Sequence, residues 1–239
     1  MHLAERYSRN LRTLSEADQG VLASSTVAIV GCGGLGGYMA EEFARLGVGH
    51  LILIDGDQLE VSNLNRQLMA TEKNIGQWKV DAAQERLQIV NSTTKVTIFK
   101  EWFDEYKKNE LLSGAHLVCD ALDSLTYRVA LERACHQLGL PLVFTSIAGW
   151  YGMIGVSFPG DKSLARLFGR GERGVESMWG NPAFTPAVLA SLSVAEAVKI
   201  LIGRPVSLRR AWLHVDLLAM EFERFEILDS NNPIDNELE

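Results

Sequence analysis

Residues 26–57, TVAIVGCGGLGGYMAEEFARLGVGHLILIDGD, constrain the fold of this chain more than any other stretch. A short β-branched run from Val27 to Val30 reads as a buried strand. Five glycines, Gly31, Gly33, Gly34, Gly36 and Gly37, then crowd one turn. Met39, Ala40, Phe43 and Leu46 recur at helical spacing, and Gly47 and Gly49 close that helix. A second apolar run from Leu51 to Ile54 stops at Asp55. The pattern is a βαβ unit carrying G-x-G-x-x-G at Gly31, Gly33 and Gly36, with an acid ending the next strand. Glycines let the backbone approach a phosphate, and the helix N-terminus offers free N–H groups to it. A glycine-rich turn could serve helix–sheet packing alone. With Asp55 placed where a ribose would lie, the unit predicts a nucleotide site.

The rest of the chain continues the alternation of strand and helix. The spacing predicts helices over 77–89, 103–112 and 126–138, and strands over 96–99, 116–119 and 142–147. That grammar implies an α/β fold, a doubly wound Rossmann-like sheet, mostly parallel. Beyond Gly149 it changes. Residues 151–158 alternate as an antiparallel strand does, residues 186–202 read as a helix, and 211–216 and 221–227 read as a closing strand pair. Antiparallel strands are therefore expected at the C-terminal end. The predicted organisation is a helical N-terminal arm over 1–25, capped at Ser15, then a single nucleotide-binding domain over 26–228 and an acidic tail over 229–239. Within the domain, residues 159–182 read as a loop crossing the surface, rich in glycine and arginine.

Charge and cysteine usage narrow the partners. A formal net charge of −7 argues against general affinity for nucleic acid or an anionic membrane. Three cysteines, Cys32, Cys119 and Cys135, cannot all pair, and none forms a C-x-x-C. This points to a reducing, cytoplasmic setting and away from a four-cysteine zinc. The polar N-terminus does not resemble a signal peptide, and no apolar run is read as a membrane span.

Four further polar positions exceed what a plain dinucleotide domain needs. Asp57 follows Asp55 closely, Asn63 and Arg66 are spaced to share a helical face, and Lys79 opens the next helix. Asp123 falls at the carboxyl edge of the sheet, where open α/β folds bind ligands. Singly, each has a plain structural reading as a solvated charge, a turn or a cap. Together, two acids, an arginine and a lysine around a glycine loop suit a nucleoside triphosphate with Mg2+.

In order along the chain, Arg6-Tyr7-Ser8-Arg9, the Gly31–Gly37 loop, Asp55-Gly56-Asp57, Ser62-Asn63-Leu64-Asn65-Arg66-Gln67, Gly76-Gln77-Trp78-Lys79 and Asp120-Ala121-Leu122-Asp123-Ser124 resemble the ThiF/MoeB/HesA family. These are bacterial relatives of the ubiquitin-activating enzymes. The resemblance implies an adenylyltransferase that binds Mg–ATP and activates the C-terminal Gly-Gly carboxylate of a ubiquitin-like sulfur carrier. It implies Asp55 on the ribose, the Gly31–Gly36 backbone along the nucleotide, and Asn63, Arg66 and Lys79 on the phosphates. It implies Mg2+ on Asp123, with Asp57 as a helper, and a homodimer in which Arg9 reaches the partner's site. Two features depart from many relatives. There are no paired C-x-x-C motifs, so zinc is not expected, and residues 159–180 hold no cysteine for a thioester. Other acceptors, such as a peptide C-terminus or a modified tRNA base, remain open. So do a non-catalytic partner subunit and a nicotinamide-dependent oxidoreductase, although the latter leaves Asn63, Arg66, Lys79 and Asp123 without a role.

Overall fold

The computed structural model describes residues 5–168 and 179–227. The β-branched and apolar runs form strands β1 Thr26–Val30, β2 His50–Ile54, β3 Lys95–Phe99, β4 Leu117–Asp120 and β5 Leu142–Ala148, all parallel. β6 Tyr151–Ser157, β7 Ala211–Asp216 and β8 Glu221–Glu226 then add antiparallel to β5 in succession. The sheet runs β3-β2-β1-β4-β5-β6-β7-β8. The doubly wound sheet with an antiparallel C-terminal extension is the architecture that the sequence pattern predicts.

Both faces of the parallel part are covered, which is why its strands read as unbroken apolar runs. Val27, Ile29, Leu51 and Leu53 point to one face, packed under α2 Gly34–Leu46, α3 Lys79–Val90 and α7 Phe184–Leu201. Ala28, Val30, Ile52 and Ile54 point to the other, against α4 Lys108–Leu111, α5 Leu125–Leu138 and α6 Ser163–Phe168. Among the described residues, α7 alone is long and apolar enough to cross a membrane by length and composition. The sequence reading found no such run. Half of this helix is buried, with Leu189, Ala190, Val194 and Ala197 in the core beneath the sheet.

Helix ends follow local chemistry. Ser15 caps α1 Glu16–Ser24: its Oγ accepts from Asp18 N at 3.1 Å, and Asp18 returns a carboxylate to Ser15 N at 2.8 Å. Gly47 and Gly139 end α2 and α5 in the left-handed conformation.

Several expected elements differ. The arm is not one helix, because the Ser15 cap restarts it; among the described residues, the one helical turn before the cap is the 3-10 turn Glu5–Tyr7. The helix expected over 103–112 begins later, as a 3-10 turn Glu105–Lys107 leading into α4, because the Asp104 carboxylate accepts from Tyr106 N at 2.9 Å. Phe103 is core instead. Residues 62–68 hold no α-helix, only the end of the 3-10 turn Val61–Asn63 and further turns. Part of the expected crossover loop is helical: the buried Glu132 carboxylate accepts from Leu164 N at 2.9 Å and Ala165 N at 3.1 Å, capping α6. Residues 169–178 of that loop and the tail over 229–239 lie outside the described residues.

One buried ion pair ties α5 to the sheet. Arg128 Nε meets Asp120 Oδ2 at 2.8 Å, and Arg128 Nη2 donates to Thr145 O at 2.6 Å. The two side chains are 1% and 0% exposed. Burial pushes the Asp120 carboxyl up, and the Arg128 charge pulls it back. Removing one member strands the other charge in the core, so Arg128→Ala is expected to destabilise the fold by about 3–5 kcal/mol. The check is a lower urea midpoint at unchanged slope. A change within the ~0.5 kcal/mol typical of surface substitutions would show the pair to be dispensable.

Candidate active site

A pocket of about 260 Å3 opens at the carboxyl ends of β1 and β4. At this point the connections diverge, β1 leading outward to β2 and β3 while β4 leads to β5 on the other side. Open α/β sheets bind ligands at such switch points. The glycine loop makes the approach possible. A Cβ on Gly36 would lie 1.8 Å from Gly31 O, and one on Gly31 would lie 2.5 Å from Ala121 O. Gly31 also has φ of 93°, a left-handed conformation costly for other residues. The first turn of α2 therefore packs tightly against the ends of β1 and β4, with its free N–H groups at the pocket.

Asp55, one residue past β2, is 6% exposed and lines the pocket. Its Oδ2 accepts from Cys32 N at 2.6 Å and its Oδ1 from Asp57 N at 2.8 Å, so the carboxylate clamps the glycine loop to its own strand end. Burial pushes its pKa above the ordinary 3.8, while the charge of Lys79 and the two backbone donors pull it back. Lys79, the first residue of α3, is only 8% exposed, not on the solvated face that helix position alone suggests. Its Nζ meets Asp57 Oδ2 at 2.7 Å, and its backbone N donates to Asp57 O at 3.0 Å.

Asn63 is buried, its Oδ1 accepting from Glu60 N at 3.0 Å. Arg66 follows it through a turn, Arg66 N donating to Asn63 O, and its Nη1 donates to Ser62 O and Asn65 Oδ1. Asp123 is exposed at the rim, three residues past β4; Asp120 shapes that loop by accepting from Leu122 N at 3.0 Å. The pocket thus brings together Gly31, Gly33, Gly34, Asp55, Asp57, Asn63, Arg66, Lys79 and Asp123. Gly36 acts one layer behind, through its packing on Gly31.

Arg9 is not brought there within one chain. The Tyr7 ring lies against Gly47, at the C-terminal end of α2, and Tyr7 and Arg6 both bond to Asn91 at the end of α3. That holds the arm at the far end of a helix about 20 Å long.

Sequence reasoning missed three lining residues with amide or aromatic side chains. Gln67, inside the quoted SNLNRQ block, is 6% exposed with Oε1 unpartnered, and the buried Oδ1 of Asn181 is likewise unpartnered. Two buried acceptors at one pocket need donors from a ligand or water. Trp102 also lines the pocket. Its position just beyond β3, at the carboxyl edge, was the available signal.

A dinucleotide-type sheet with Arg66, Lys79 and three aspartates gathered at its switch point has the architecture of a nucleotide-binding enzyme. The chain belongs to the ThiF family, whose model matches residues 7–235. It is 30% identical over 241 residues to the sulfur carrier protein adenylyltransferase of Thermus thermophilus, covering 93% of this chain and 87% of that one. It is 34% identical over 142 residues to the tRNA threonylcarbamoyladenosine dehydratase of Bacillus subtilis, covering 59% and 56%. A crystal structure of Escherichia coli MccB with ATP superposes with a TM-score of 0.80 at 22% identity, over 96% of this chain and 73% of that one, and shows the same fold. The enzyme is an ATP-using adenylyltransferase.

Because Lys79 holds the Asp55 carboxyl down, Lys79→Met is expected to raise the pKa of Asp55 further. Asp55 would then keep its proton to a higher pH than in the wild type. Carboxyl-carbon NMR titration of both proteins checks this, and an unchanged or lowered midpoint contradicts it.

Proposed function

We propose that the enzyme adenylates the C-terminal Gly-Gly carboxylate of a ubiquitin-like sulfur carrier, with ATP and Mg2+ and without a covalent bond to its own cysteines. The observation that carries this reading is the convergence on one pocket of the α2 N-terminus, the ribose-type acid Asp55, and Arg66, Lys79 and Asp123. The Thermus relative, named for a sulfur carrier protein, supports the acceptor.

In this reading Asp55 accepts from the ribose hydroxyls. The glycine-loop amides, Asn63, Arg66 and Lys79 take the phosphates. Besides Asp55, two carboxylates, Asp57 and Asp123, line the pocket, and among the described residues no cluster of three or more His, Cys, Asp or Glu is placed to hold a metal. That donor set suits Mg2+, which takes one or two protein carboxylates and completes its shell with phosphate oxygens and water. Asp123 would hold it, since Asp57 is paired to Lys79; bound there, Mg2+ would neutralise phosphate charge. The acceptor carboxylate attacks the α-phosphorus, a carboxyl C–O–P bond forms, and the bond to pyrophosphate breaks. Lys79 and Arg66 offset the negative charge that builds on the phosphates. Positioning and preorganised charge carry the rate, and no protein nucleophile is needed.

Arg9 reaches phosphates only from a second copy, so the active unit in this reading is a homodimer. All three thiols are buried and free, and burial pushes each well above its ordinary pKa, which makes them poor nucleophiles. Free thiols also suit a reducing compartment, here the cytoplasm.

Purified enzyme with Mg2+ is expected to exchange labelled pyrophosphate into ATP only when a Gly-Gly-ending carrier is added. Asp123→Ala should abolish this exchange while leaving thermal unfolding unchanged. Exchange that needs RNA or an unrelated peptide would overturn the acceptor, and full activity of Asp123→Ala would overturn the metal role. Brief iodoacetamide treatment of the native enzyme should leave exchange intact. Inactivation that tracks alkylation of one cysteine, together with a thiol-cleavable adduct between enzyme and carrier, would show a covalent step.

A further inference from the structure

We propose that Trp102 is the platform on which the purine base of the nucleotide stacks. The proposal rests on the ATP reading above and adds to it the residue that carries the base.

The chain around Trp102 is fixed on both sides. Lys100 Nζ pairs with Asp81 Oδ2 at 2.8 Å, Glu101 pairs with Lys107, and Phe103 is sunk in the core at 4% exposure. Between these anchors the Trp102 side chain turns outward, 54% exposed, and lines the pocket. One side of its indole lies on Gly56. A Cβ there would stand 3.0 Å from both Cδ1 and Cδ2 of the ring. The indole therefore rests on the backbone of Asp55-Gly56-Asp57, immediately beside the acid assigned to the ribose. Trp102 is in none of the aromatic pairs among the described residues, whereas Trp150, Trp179 and Trp212 all are. Its remaining face is apolar surface at the pocket, not part of the core.

The order of the strands places the base. Phosphates belong at the first turn of α2, beyond β1, and the ribose belongs at Asp55, beyond β2. β2 lies between β1 and β3 in the sheet, so the nucleotide continues in that direction toward the end of β3. Trp102 stands three residues past β3. The three parts of a nucleotide thus find, in order, a helix N-terminus, a carboxylate and an aromatic face.

Stacking on one aromatic side chain is expected to contribute roughly 5- to 150-fold in affinity. Calorimetry with ATP should therefore show Trp102→Ala binding weaker by a factor in that range, at an unchanged melting temperature. Trp102→Phe, which keeps a ring, should recover most of the loss. ATP should also quench indole emission in the wild type, and Trp102→Phe should lose that quench. Equal ATP affinity in wild type and Trp102→Ala would overturn the platform while leaving the ATP site standing. A loss that phenylalanine does not recover would make Trp102 a structural cover for Gly56, and a quench that persists in Trp102→Phe would assign the base to another tryptophan. If the wild type does not bind ATP, the nucleotide reading itself falls, and the platform with it.

Discussion

The close approach of Gly36 to Gly31, and of Gly31 to Ala121, is the constraint on which the rest of the site depends. No side chain fits at either contact. With hydrogen alone at those positions, α2 begins almost on top of the ends of β1 and β4, and its unpaired amides open onto the gap between diverging connections. Asp55 then locks the geometry by accepting from Cys32 N in the loop and Asp57 N in its own strand extension. The energetic cost of burying that carboxylate is offset by two backbone donors and the nearby Lys79 charge. The same residue that would read the ribose therefore holds the phosphate loop in place.

Charge is distributed between a sealed layer and an open one. Asp120 and Arg128 are sealed, fixing the base of the Asp123 loop and joining it to β5 through Thr145 O. Their pairing performs no chemistry, but it sets where the exposed Asp123 stands. Lys79 and Asp57 are intermediate, one nearly buried and the other 44% exposed, so their attraction is only partly screened. Such a pair can exchange partners when phosphates arrive, because Lys79 Nζ has three protons to donate. Arg66 is held, among the described residues, by a backbone carbonyl and a neighbouring amide, neutral partners that it can exchange for a charged ligand.

Local rules were enough to read the parallel half of the fold. β1, α2 and β2 follow from residue periodicity and glycine placement, and the Ser15 cap and Gly139 stop follow from terminus chemistry. What escaped depended on tertiary contacts. The start of the arm is held by Tyr7 packing on Gly47, and α6 is capped by the distant Glu132. At the site, the charged residues were legible since charge near a glycine loop has few other uses. Gln67 and Trp102 were not, because an amide or an indole is common in loops and only the assembled pocket shows which way each faces. Lys79 was legible as a site residue, but its burial was not, since that depends on Asp57 lying across the start of α3.

The two halves of the pocket rest on different kinds of support, and this bears on how one fold serves varied acceptors. The half assigned to the nucleotide in the proposed reading is built on strand ends and helix starts, whose positions are fixed by the sheet register. The other half uses Gln67, Ile147, Asn181 and Leu122, which come from a turn, a strand end and the connections around the crossover. Asn181 is held there by backbone contacts, its carbonyl accepting from Asn65 Nδ2 and the neighbouring Gly180 carbonyl accepting from Gly149 N. A few loop residues can change without disturbing the core that holds Asp55 and Lys79. The unpartnered Gln67 and Asn181 oxygens are acceptors that a peptide-like tail can satisfy through its N–H groups, and a bare carboxylate cannot. In the proposed reading, selection of the acceptor is thus separable, in physical terms, from binding of the nucleotide.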